Sequence, residues 1–138
     1  MFKSSKGYTK NIYTLESSKY VSFFQDDTNT SLIDSEIATF DRGGYINIQQ
    51  DMLAMIHIHI LGSTSDTDEK RSWFVLHEYG KTGYIENVIE YGTHTTTDMI
   101  AVIKCTKGMV LAVYTIEKFS VNNGISGTYA EVIKIKDL

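Results

Sequence analysis

Residues 45–61 constrain this chain more than any other stretch. Their even positions read Ile46, Ile48, Gln50, Met52, Ala54, Ile56, Ile58 and Ile60. Only Gln50 breaks the apolar parity. The odd positions read Tyr45, Asn47, Gln49, Asp51, Leu53, Met55, His57, His59 and Leu61. Side chains on a strand alternate between two faces, so a period of two held this long predicts β structure with one face in a core. A single strand of that length exceeds the usual size. The polar step at Gln50 and Asp51 therefore predicts a bend, with a strand through Ile48 before it and a second strand to Leu61 after it. Alternating isoleucines favour this over a helix across 51–60.

The last third repeats the theme. Residues 99–105 and 109–116 are apolar runs joined by the turn Thr106, Lys107, Gly108, and 129–135 is a third run after a polar loop. In the first run Met99, Ala101, Ile103 and Cys105 make one apolar face, while Lys104 and Thr106 interrupt the other. In the second, Met109, Leu111 and Val113 face one way and Val110, Ala112, Tyr114 and Ile116 the other. A strand apolar on both faces must be covered on both. A sandwich core covers one face. A second copy of the chain is expected on the other, which makes Val110, Ala112, Tyr114 and Ile116 the candidate oligomer interface. Parity alone does not say which face of this run meets the core.

Shorter strands are predicted at 12–15, 20–24, 37–40, 73–77 and 84–91. They are separated by Gly, Asn, Asp and Ser, which must make every turn because the chain has no proline. A helix over 97–106, capped at Asp98, is the one helical alternative. Short strands bounded by turn signals predict an all-β sandwich. The 138 residues suit one domain, residues 12–138, after a loose polar arm over 1–11.

A net charge of −4 argues against a nucleic-acid partner, which would ask for a basic patch. No apolar run approaches the ~18 residues of a membrane span, and no signal peptide is visible. Cys105 is the only cysteine, so no internal disulfide forms. It lies in an apolar run, as a buried small hydrophobe does. Lys104 and Lys107 would lower its thiol pKa, but no histidine is placed to activate it. Neither a Gly-x-Ser-x-Gly elbow nor a phosphate-binding loop occurs. The expectation is a non-enzymatic chain with no cofactor.

The order of these features resembles the jelly rolls of the C1q-like and tumour-necrosis-factor-like families. Gly44, Tyr45, Ile46, Asn47 and Ile48 look like the Gly-x-Tyr lead-in to an inner strand of that fold. Residues 100–114 are similar to its strand, Lys-Gly turn and apolar strand. Residues 126–135 resemble its closing strand after a Ser/Thr/Gly loop. The Asp of the family's common Gly-Asp turn is replaced, since Met109 follows Gly108. The resemblance implies a jelly-roll β-sandwich that forms a homotrimer. In a chain this rich in Ile, Lys, Thr and Tyr it implies a setting in a phage tail, baseplate or bacterial surface appendage, hence a virion or cell-surface location. The role implied there is a receptor-binding head that takes a host cell-surface saccharide or protein. A purely structural trimerisation or capping module is the second reading.

The third is a metalloenzyme of the cupin type, built on His57 and His59. Residues two apart on a strand point to one face, so both imidazoles can meet one ion. Against it, no glycine precedes the pair at cupin spacing, and the second cupin motif needs a proline. The metal expectation is none, with His57 and His59 as the alternative. Asp66, Asp68 and Glu69, like Glu86 and Glu90, read as solvated acids. Saccharides stack on aromatic rings beside polar groups. The candidate ligand residues are therefore Trp73, Tyr79, Tyr84, Asp66 and Asp68, with Trp73 equally suited to a core.

Overall fold

A computed structural model of the chain describes residues 2–9, 13–15, 20–24, 32–64, 71–91, 94–115, 119–121 and 127–138. Its elements are β1 (Ser4–Tyr8), β2 (Tyr13–Leu15), β3 (Ala38–Phe40), β4 (Tyr45–Ile48), β5 (Met52–Thr64), β6 (Arg71–Glu78), β7 (Glu86–Tyr91), β8 (His94–Cys105), β9 (Val110–Thr115), β10 (Phe119–Val121) and β11 (Tyr129–Asp137). All are strands, and their pairings are antiparallel. The first sheet runs β1-β11-β5-β10-β2, with β8 on the other edge of β5; the second runs β3-β4-β9-β6-β7. Among the described residues no helix is long and apolar enough to cross a membrane.

The expected alternation of residues 45–61 organises both sheets. Met52, Ala54, Ile56, Ile58 and Ile60 on β5 are all fully buried. They meet Ile46 and Ile48 of β4, Phe74 and Leu76 of β6, and Leu111 and Val113 of β9 in one core. Each of the larger side chains is worth about 1.5–3 kcal/mol of burial. The expected bend lies at residues 49–51, between β4 in the second sheet and β5 in the first. It carries the chain around the corner of the sandwich without losing parity. The neighbouring corner, from β8 to β9, turns at Gly108, whose φ of 93° is the left-handed region glycine favours. The two corners are tied together. Gly108 N donates to Ile48 O at 2.9 Å, Ile48 N to Met109 O at 2.9 Å, and Lys107 N to Asp51 Oδ1 at 2.8 Å.

One expectation changes and one alternative falls away. Residues 97–105 are part of β8, the strand expected there and not its helical alternative, and β8 is paired with β5 from Met52–Cys105 to Ser63–His94. That ladder satisfies the backbone groups a helix would pair internally. Nor is the start of the chain a loose arm, since β1 pairs with β11 from Ser4–Ile133 to Tyr8–Tyr129. Its buried polar groups are matched. Ser5 Oγ donates to Ala38 O at 2.6 Å and accepts from Asp34 N at 3.1 Å, and Thr9 Oγ1 donates to Ser22 O at 2.7 Å.

Gly7 sits where β1 passes under the second sheet. A Cβ there would fall 2.5 Å from both Phe23 O and Phe40 Cγ. One of those atoms is backbone and cannot step aside. Gly7→Ala is expected to cost about 1–3 kcal/mol by overpacking, read as a lower urea midpoint with an unchanged slope.

Candidate functional site

The two outward faces of the sandwich differ. On the first sheet, β8, β5, β11 and β1 lie side by side and their outward residues form rows. Val102, Met55, Ile133 and Ser4 are successive cross-strand partners, followed by Ile100, His57, Glu131 and Lys6, and then Asp98, His59, Tyr129 and Tyr8. Ile100 and Val102 are 54% and 58% exposed, and Met55 and Ile133 are half-buried beside them. The face therefore carries an apolar patch of Ile100, Val102, Met55 and Ile133 beside a polar cluster.

That cluster is His57, His59 and Asp98. His57 Nε2 lies 2.6 Å and His59 Nδ1 2.8 Å from the same Asp98 Oδ1. Burial pushes the Asp98 carboxyl pKa up, but the hydrogen bonds from His57 and His59 outweigh it and hold the pKa below the ordinary value. An ionised carboxylate only accepts, so both facing ring nitrogens donate. Tyr129 walls the cluster. Its ring stacks on His59 at 5.1 Å and meets His57 edge-on at 5.5 Å, while Lys6 Nζ sits 3.8 Å over it. His57 and His59 share a face as expected. Asp98, a possible cap only in the helical alternative, is the cross-strand partner that joins the two imidazoles. The parity of β8, which sends Met99, Ala101, Ile103 and Cys105 inward, was the signal that puts Asp98 outward.

The outward face of the second sheet is aromatic. Tyr20 bridges to Tyr114 just past the end of β4, and Val21 N donates to Val113 O at 2.7 Å. Tyr20, Tyr45, His77, Tyr79 and Tyr114 pack ring against ring, with Tyr45 and Tyr79 closest at 4.8 Å. Ala112 lies between its partners Tyr45 and His77 and is fully buried. Leu111 and Val113 are the core side of β9. On its other side, the chain's own rings cover Ala112 and crowd Tyr114, while Val110 is half-buried. The side chain of Ile116 lies outside the described residues.

The candidate ligand residues are not all brought together. Trp73 and Tyr79 share the outward parity of β6 but sit about 20 Å apart along it. Tyr79 and Tyr84 are exposed, at 51% and 63%, at the β6–β7 turn. Asp66 and Asp68 lie outside the described residues. Cys105 is buried, and burial pushes its thiol up to about 11, which suits a core side chain and not a nucleophile.

No family model matches the chain, and no curated protein matches it. Solved structures do. The tumour-necrosis-factor protein Eiger of S. frugiperda superposes with a TM-score of 0.76 at 14% identity, over 99% of this chain and 94% of that one. Murine APRIL, solved at pH 5.0, gives 0.74 at 12% identity over 96% and 100%. Rabbit GITRL gives 0.57 at 11% identity over 75% and 80%.

His77 lends itself to a pH test. Its Nε2 is buried with no hydrogen-bond partner among the described residues, and burial lowers its pKa. The unfolded chain therefore takes up this proton first, and stability falls as the pH drops below about 6.5. His77→Phe removes the orphaned nitrogen and is expected to add about 1 kcal/mol at pH 7. The gap in melting temperature between variant and parent should widen from pH 7 to pH 5.

Proposed function

The chain has the jelly-roll fold of tumour-necrosis-factor-type ligands, and on that premise we propose that it is the non-enzymatic recognition head of a homotrimer. The outward face of its first sheet meets the other two copies, and the outward surface of the second sheet meets the target. The observation that carries this is the exposure of Ile100 and Val102, with Val102 in line with Met55 and Ile133 and Ile100 in the next row. Contiguous exposed apolar surface on a sheet marks an interface. A threefold arrangement brings one such face of each copy to a common axis and closes without leaving a patch open. The target is a cell-surface saccharide or protein, with Tyr79 and Tyr84 as the exposed rings that stack on it. The setting proposed is the tip of a phage or bacterial surface appendage, as the family resemblance in a chain of this amino-acid usage implies.

Ile100→Arg with Val102→Arg is expected to give a folded chain of one-third the parent's solution mass. If the copies met instead through Val110, Ala112, Tyr114 and Ile116, the same variant would keep the parent's mass. Tyr79→Ala with Tyr84→Ala should leave the mass unchanged and abolish binding to intact target cells. Undiminished binding would remove these two rings from the recognition surface.

A further inference from the structure

We propose that His57, His59 and Asp98 form a binding site for one divalent transition-metal ion, zinc by its ligand chemistry, on the outward face of the first sheet. The inference goes beyond the recognition head and depends only on the fold of the single chain.

The ligands come from two paired strands and not from loops. His57 and His59 are two apart on β5, and Asp98 on β8 is the direct cross-strand partner of His59. Beneath them Ile56, Ile58 and Ile60 are fully buried, so the backbone that carries both imidazoles is anchored in the core. One donor atom from each of the three residues lies within 4.8 Å of the others. Zinc binds imidazole nitrogen and carboxylate oxygen at about 2.0–2.2 Å, which sets ligand atoms about 3.3 Å apart around a tetrahedral ion. The present separations of 2.6 and 2.8 Å are those of a hydrogen-bonded set closed on itself. Opening the two contacts by roughly 0.5–0.7 Å accommodates the ion, and Asp98, the most exposed of the three at 46%, has the freedom to supply it.

The chemistry of the set selects the ion. Two nitrogens and one carboxylate suit zinc and its first-row neighbours, whereas calcium and magnesium ask for oxygen alone. The ion would take the ring nitrogens that now donate to Asp98, Nε2 of His57 and Nδ1 of His59, and leave the other nitrogen of each ring to carry its proton. Tyr129 fixes both ring planes by its stacked and edge-on contacts, the orienting role that surroundings of a metal site commonly have. Lys6 and Glu131, cross-strand partners beside the cluster, offset one another in charge. The fourth position is left to water. His77, the other histidine whose side chain is described, lies on the second sheet and takes no part.

The test is a zinc count on the full chain after loading with zinc chloride and removal of the excess, with a cobalt titration followed by visible absorption. One zinc per chain is expected, with the strong absorption of tetrahedral cobalt. Asp98→Asn and His59→Gln, which keep side-chain size, should each weaken binding by about tenfold or more while circular dichroism stays that of the parent. Metal content no higher than in an unrelated protein treated alike, or variants that bind as the parent does, would overturn the proposal. A monomer holding one zinc supports the site while contradicting the trimer; a trimer holding none does the reverse.

Discussion

The structure depends on the alternation of β5. One face of that strand carries five buried side chains and so fixes the core. Because parity is strict, the opposite face is fixed with it, and Leu53, Met55, His57, His59 and Leu61 must all look outward. A slip of one residue would send two imidazoles into the core and five apolar groups into water. The register of β5 with β8 and β11 is therefore held by the hydrophobic effect on one side. Everything on the other side follows from it, including the row of Val102, Met55 and Ile133 and the meeting of His57, His59 and Asp98.

The corners make this possible. Parity survives from β4 to β5 although the two strands lie in different sheets. The bend at residues 49–51 turns the chain without flipping it, and Gly108 does the same between β8 and β9. Backbone hydrogen bonds between the two corners lock the sheets at one end of the sandwich. The aromatic cluster closes the outside of the second sheet near Tyr45 and Tyr79. The first sheet has no such cover among the described residues, and the proposal of one face for further copies and another for a target rests on this asymmetry.

Much of this was legible in the sequence. The alternation of 45–61, the bend at Gln50 and Asp51, and the inward face of 99–105 are local patterns, and local patterns are what periodicity reports. What covers a face is not local. The run 109–116 is apolar on both sides, and parity could not name its cover; Tyr20, far away in sequence, comes to lie beside Tyr114. Lys104 and Thr106 interrupt the outer face of the run that starts at Met99, but Lys104 is the last outward residue of β8 and Thr106 lies beyond the strand, so the exposed Ile100 and Val102 precede both. Asp98 was missed as a partner because His57 and His59 are on another strand and their meeting is a matter of register.

The central claim is that the outward face of the first sheet is covered by further copies of the chain. The solution mass of the unmodified protein at micromolar concentration, by sedimentation equilibrium, tests it most directly. The account predicts three chain masses. A single chain mass would contradict it.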